Sequence, residues 1–430
     1  MLKIDQREYT PTVIDQIVFA GGSHRSAQKA ARGLLKLARL KISAMQVLRI
    51  TEQIGDELLA QREHDAALQQ HRELRSTNET PVEIACVEVD GGRMQTRAAE
   101  QGRGVHDRSW KETKVAALWK MTGPTFETDP HPDPPHCFLD PDHVSQMVRE
   151  IKRQRSESHE RDDSPEKTSS KLPLDADHAA LDDASQDLTS RERQWPPRRI
   201  FRTCVATLKD VHGFGPLVAA EAQRRGFYDA PRQVFLGDGD HKNWTVHKLH
   251  FPHFVAITDF VHPVTYLFDV AGAVTNSWAA QWEQYSSWMT AVWQGRVSTV
   301  IAELREWQAR LGAPEKATAE KTTSHNDSRQ IVATTLTYLT NNESRMNYPQ
   351  YRREGLPITS CLVESLIKEL NHRVKGTDQF WNRPAATEGE SILQVIASLL
   401  SEGDPLTKHI LSRPGSLYYR RSTAARYAAT

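Results

Sequence analysis

The chain has 430 residues, 38% hydrophobic and 26% charged, enough for two or three domains with a sizeable core. Its 55 Lys and Arg balance 55 Asp and Glu, so net charge selects no class of partner. Cys86, Cys137, Cys204 and Cys361 include no CxxC pair, which argues against a zinc ribbon or a disulfide framework. No apolar run approaches a membrane span and MLKIDQREYT lacks a secretory core, so a soluble, cytoplasmic protein is expected.

Residues 23–50 carry Arg25, Lys29, Arg32, Lys36, Arg39, Lys41 and Arg49 and no acid. Leu34, Leu35 and Leu37 predict one apolar helical face, the chain breaks at Lys41–Ile42, and Ser43 with Gln46 reads as a capping box opening a second helix. Two short helices and a one-signed charge field resemble a helix-turn-helix that meets DNA phosphates through Arg25, Lys29, Arg32, Lys36, Arg39 and Lys41. A solvated basic helix pair is the plainer alternative.

Next comes VEIACVEV, a near-continuous apolar strand that runs into Asp90. The glycines of DGG predict a turn there, with RMQTR and TKVAALWKM as antiparallel partners. Residues 151–195 are rich in charge and Ser and poor in aromatics, which predicts a disordered linker or insertion. A helix is predicted from Phe201 to Gly226, then strands RQVFLGDGD and HFVAITDFVH in parallel. Residues 269–312 read as helical, with Trp278, Trp282, Trp288, Trp293 and Trp307 as core packing, and the chain loosens from Lys316 to Asp327. Ser360 caps a helix ending at Gly376, with Leu362, Leu366 and Leu370 on one stripe.

Three acids stand out. Asp90 and Asp238 each end a strand, and Glu364 sits one turn into the capped helix. Brought together at the edge of a mixed sheet, they make a hard-oxygen site suited to Mg²⁺ or Mn²⁺. Two ions about 3.5–4 Å apart at such a site support phosphodiester chemistry. Singly, DGG and GDGD are turn sequences, and Glu364 with Lys368 is a surface pair. Lys242 at the fifth position and the lack of a closing Glu exclude a calcium loop for GDGD. The loop HPDPPHC and the triplet His247, His250 and His253 are weaker metal candidates.

Six stretches, in order, resemble the ISKra-type DDE transposases of bacterial insertion sequences. They are VEVDGGRMQTR, SWKETKVAALW, FGPLVAAEAQRRGF, VFLGDGDHKNW, FPHFVAITDFVHPVTYL and YRREGLPITSCLVESLIKELNHRVKG with a following FW. His262 matches a family histidine, and Tyr266 stands where a second one is usual. The resemblance implies an α/β, RNase H-like mixed five-stranded sheet of order 3-2-1-4-5, with Asp90, Asp238 and Glu364 as catalytic triad and metal ligands for two Mg²⁺ or Mn²⁺ ions. It implies a transposase that cuts and joins double-stranded DNA at element ends, acting as a dimer or higher oligomer near the nucleoid. Lys368, Arg373 and Lys375 become candidates for phosphate contacts, with a solvated basic face as the plainer alternative, and Trp381 packs on the core or on a base, the core being favoured. A transposase-derived binding protein and a nuclease of the same fold remain alternatives.

The implied layout is a DNA-binding domain at 1–76 and a catalytic domain from 77–150, 196–268 and 345–400. The linker at 151–195, a helical insertion at 269–344 and a C-terminal tail at 401–430 complete it.

Overall fold

In the computed structural model of the chain, the described residues are 9–77, 81–97, 109–159, 196–312, 327–359, 366, 369–371, 373–374, 381–382 and 388–413. The chain opens with three helices, α1 (Pro11–Ser23), α2 (Ala27–Ala38) and α3 (Ala44–Gln70). Hydroxyl N-caps start each of them: Thr10 accepts from the Val13 amide, Ser26 from Lys29 and Ser43 from Gln46, the last as the sequence predicts. The leucine face of α2 differs from expectation. Leu34 is buried, but Leu35 and Leu37 are 49% and 89% exposed. Leu35, one residue on from Leu34, points away from the buried stripe, which Leu34 shares with Ala30 at i−4, and Leu37 lies in the last turn, beyond the packed part of the helix.

These helices do not form a core of their own. Ile14, Ile17, Leu34, Val47, Ile50 and Ile54 pack with Val395 of α12 (Glu388–Leu399) and with Leu406 and Ile410 of α13 (Pro405–Ser412). The segment expected as a tail from 401 therefore begins with a helix packed into this core. Where α3 crosses α12, a Cβ on Gly55 would collide with the Ser391 backbone carbonyl, while Ser391 donates to Asp56 alongside. Gly55→Ala is expected to cost about 1–3 kcal/mol through overpacking, outweighing the helix propensity it adds. Urea unfolding of this variant checks it, and equal or greater stability would refute the close crossing.

The same joint carries a carboxylate clamp. Glu57 accepts from Arg413 Nε (2.7 Å) and Nη2 (2.9 Å), and lies 3.2 Å from His409 Nε2. Burial opposes ionisation of Glu57, yet the hydrogen bonds from His409 and Arg413 outweigh it and hold the carboxyl below its usual range. A depressed folded-state pKa gives stability that is fully present above about pH 5 and lost as pH falls through the carboxylate range. The urea midpoint is therefore expected to fall between pH 6 and pH 3, and to fall less in Glu57→Gln. An equal fall in that variant would remove Glu57 from the account.

The sheet contains β1 (Ile84–Arg97), β2 (Ser109–Thr122), β3 (Arg198–Thr207), β4 (Arg232–Gly237) and β5 (Val255–Thr258). Their order is β3-β2-β1-β4-β5, with β6 (Trp381–Asn382) pairing the far end of β1. The pairs β3/β2 and β2/β1 are antiparallel, and β1/β4 and β4/β5 are parallel. The chain does not turn at DGG. β1 runs through Asp90, Gly91 and Gly92, and β2 pairs with it without a break from Ile84↔Met121 to Thr96↔Ser109. RMQTR is thus the second half of β1, not its partner, and neither glycine takes a positive φ. Cross-strand pairing has overridden the local turn preference.

The helix expected from Phe201 is also corrected. Residues up to Thr207 form β3, and the helix, α5 (Val211–Arg224), starts only after Asp210 caps it through the Gly213 amide (2.9 Å). Cys204, Val205 and Ala206 are buried in succession, and a strand covered on both faces has the same unbroken apolar look as a buried helix. The strand–helix–strand unit of β4, α6 (His241–His250) and β5 is parallel, as expected.

One sheet face, with Ile84, Cys86, Ala117, Leu236 and Ile257, packs on α7 (Val261–Val274), on α12 and on the helical residues Leu366, Leu370 and Val374. The other, with Ala85, Val87, Val89, Ala116 and Phe235, packs on α5 and α6. Further helices are α4 (Pro141–His159), α8 (Trp278–Trp293), α9 (Val297–Leu311), α10 (Ser328–Asn342) and α11 (Tyr348–Arg353). Residues 151–159 of the expected linker are thus helical, and 160–195 lie outside the described residues. So does most of the segment expected to loosen after Lys316. Trp288 and Trp293 are buried as expected, whereas Trp278 is 52% exposed and stacks on Trp282. Among the described residues no helix is long and apolar enough to cross a membrane.

Candidate active site at the carboxyl ends of the parallel strands

Strand register brings the first two acids together. Glu88 pairs with Leu236 and Val89 with Gly237 across β1 and β4, so the next step sets Asp238 beside Asp90. Adjacent strands lie about 4.8 Å apart. By strand alternation Asp90 shares the face of Cys86 and Glu88, the face covered by Leu366, Leu370 and Val374. Both aspartates are half-buried.

The register also adds an acid that the sequence reading passed over. Gly237 pairs with Thr258, and the Asp259 amide donates to the Gly237 carbonyl (2.9 Å), which puts Asp259 level with Asp238 on the third parallel strand. Asp259 is fully buried. It accepts from the Val261 amide (3.2 Å) at the start of α7 and lies 4.0 Å from His262 Nε2. The signal was present: ITD ends β5 as LGD ends β4.

Asp238 stands one residue beyond β4, where the ladder no longer holds the chain. Its Oδ1 accepts from the Asp240 amide (2.9 Å) and from Asn243 Nδ2 (2.8 Å), and its carbonyl accepts from the Tyr338 hydroxyl (2.9 Å). Asp240 in turn caps α6 through the Lys242 amide. Gly239 has φ +99, and a Cβ there would lie 2.6 Å from the Tyr338 ring, so the second glycine of GDGD serves this approach. Asn342, buried at the end of α10, accepts from Trp244 Nε1 (2.9 Å) and donates to the carbonyls of Tyr338 (3.0 Å) and Gly239 (3.5 Å). Tyr266 stacks on Tyr338 with ring centroids 4.0 Å apart.

Charge around these strand ends is mixed. Glu112 on β2 accepts from Lys114 (2.9 Å) and from Lys242 (3.1 Å). Burial opposes its ionisation, but the two lysine hydrogen bonds outweigh this and keep its carboxyl below the usual range.

Glu364, Lys368 and Lys375 lie outside the described residues. Arg373 is placed, and its expected phosphate contact is corrected. It is buried and donates to the Gly21 carbonyl (2.9 and 3.1 Å) and to that of Arg25 (3.4 Å), closing the end of α1. Burial pulls its guanidinium down to about 10. Arg25, Lys29, Arg32, Lys36, Arg39 and Lys41 are all exposed.

Carboxylates suit a hard divalent cation in kind, and Asn243 orients one of them as an outer-shell partner does. Among the described residues, no three His, Cys, Asp or Glu side chains form a group that would hold a metal ion. His247 lies 2.9 Å from the Phe254 carbonyl and His131 2.6 Å from that of Asp133, and neither histidine cluster forms such a group among the described residues. The sequence matches no protein-family model and no curated protein.

Proposed function

We propose that the protein is a metal-dependent DNA transposase on an RNase H-like fold, which cleaves the ends of an insertion sequence and joins them to target DNA. The observation that carries this reading is the level placement of Asp90 and Asp238 on adjacent parallel strands of a β3-β2-β1-β4-β5 sheet. Asp90 and Asp238, with Glu364 as third ligand, would hold Mg²⁺ or Mn²⁺, two ions in the full site. When bound, such ions supply Lewis-acid stabilisation of the attacking and leaving oxygens of a phosphodiester. The chain's own part is orientation: Asn243 and the Asp240 amide fix one carboxylate oxygen of Asp238, and Tyr338 fixes its backbone.

The exposed cations of α1 to α3 would draw in duplex DNA, and a dimer or higher oligomer on that DNA would pair two ends in the cytoplasm, near the nucleoid. Each phosphate contact releases counterions, so Arg32→Ala and Lys36→Ala are each expected to weaken DNA binding and lower the salt slope by about 1. A slope unchanged in both variants would move DNA contact away from α2.

Incubation with DNA flanking the gene, a target plasmid and Mg²⁺ tests the reading. Joined products support transposition. Cleavage without joining would leave a nuclease, and retention of DNA without cleavage would leave a binding protein.

A further inference from the structure

The reach of α10 into the Asp238 loop has a consequence for the site. Asp238 lies outside the strand ladder, in a turn whose central glycine needs a positive φ. Its carboxylate is held locally by Asn243 and the Asp240 amide. Its backbone, by contrast, is held from a helix 100 residues further along the chain, through the Tyr338 hydroxyl on the Asp238 carbonyl. One turn on, Asn342 donates to the next carbonyl, Gly239, and to that of Tyr338.

Asn342 is itself fixed. Its Oδ1 accepts from Trp244 on α6 and stands 3.5 Å from Thr258 Oγ1 at the end of β5 and from Arg345 Nη1. The Arg345 guanidinium covers the Trp244 ring at 4.5 Å. Tyr338 is braced from the other side by Tyr266. A buried amide bonded at both ends to three elements has one allowed orientation, and it passes that constraint to the turn it touches. Among the described residues, the strand pairing of β4 ends at Gly237, before residues 238–240.

We propose that Tyr338 and Asn342 are positioning residues for Asp238, through which α10 sets the divalent-cation affinity of the site. The inference rests on the metal-dependent reading above. Groups that hydrogen-bond a ligating side chain change metal affinity by roughly 10- to 100-fold when removed, and Tyr338, which holds the backbone of Asp238 instead, is placed at the lower end of that range. Tyr338→Phe deletes only the hydroxyl and keeps the ring on Tyr266. Asn342→Ala removes the donor to Gly239 and the acceptor for Trp244.

The test is a Mn²⁺ titration without DNA, following free ion by electron paramagnetic resonance. Wild type, Asp238→Asn, Tyr338→Phe and Asn342→Ala are compared, with melting temperatures measured in parallel. The expected result is loss of binding in Asp238→Asn and about 10-fold weaker Mn²⁺ affinity in Tyr338→Phe. Cleavage by Tyr338→Phe is expected to recover at raised Mn²⁺. If Tyr338→Phe melts lower but binds Mn²⁺ as wild type does, its role is structural and the inference is overturned, while the metal reading stands. If Asp238→Asn binds as wild type, or wild type does not bind, the metal reading falls and takes the inference with it. Should Asn342→Ala fail to fold, Tyr338→Phe decides alone.

Discussion

Asp90→Asn is expected to abolish DNA cleavage while leaving fold and DNA affinity in place. Asn keeps a side-chain oxygen that can accept from the Gly91 amide, as Asp90 Oδ1 does now at 2.6 Å, so β1 has no reason to move. What the substitution removes is the negative charge at the centre of the sheet's carboxyl edge. A metal ion contributes several kcal/mol to a phosphodiester transition state, and losing about 4 kcal/mol is about a 10³-fold loss of rate. Asp238→Asn is expected to behave alike, because Asn can still accept from Asn243. Single-turnover cleavage with DNA binding measured beside it separates chemistry from affinity. Wild-type cleavage by Asp90→Asn would end the assignment.

The largest effect on stability is expected at Arg352, far from any motif. Its guanidinium is fully buried and donates to both oxygens of Asp129 (2.8 and 2.6 Å) and to the Trp293 carbonyl (3.0 Å). It lies 4.2 Å from the centre of the Trp293 ring. One side chain thus ties α11 to the loop before α4 and to the end of α8. Burial opposes ionisation of Asp129, but the Arg352 hydrogen bonds hold its carboxyl below the usual range. Removing one partner of such a pair leaves a charge with no counterpart, at a cost of about 3–5 kcal/mol. Arg352→Met, which keeps the bulk, is expected to lower unfolding free energy by that amount in urea. A change under about 1 kcal/mol would show the pair to be replaceable by packing.

The contrast between these two sites shows what can be read from sequence. Asp90 and Asp238 end apolar runs, and such acids are visible because burial forces the runs to be apolar, although β1 itself continues through Asp90 to Arg97. β1, β2, β4 and β5 were legible for that reason, as was the Ser43 cap. The glycine pair after Asp90 misled because turn preference is local, while thirteen residues of β2 hold β1 straight through it. β3 misled because burial on both faces erases the period that separates strand from helix. The joint of α1–α3 with α12 and α13 left no signal beyond Gly55, since chain ends that meet in space share no local pattern. Tyr338 and Asn342 were invisible for the same reason: they are ordinary polar residues on a helix, and only their contacts with Asp238 and Gly239 distinguish them. Arg373 looked like a phosphate ligand because a cation on a basic helix shows its charge in sequence but not its burial.

The most direct measurement is an anomalous difference map from crystals soaked in Mn²⁺. The account predicts peaks about 2–2.2 Å from carboxylate oxygens of Asp90 and Asp238, with Glu364 completing the shell. Mn²⁺ bound elsewhere, or Glu364 directed away from both aspartates with the ion in place, would contradict it.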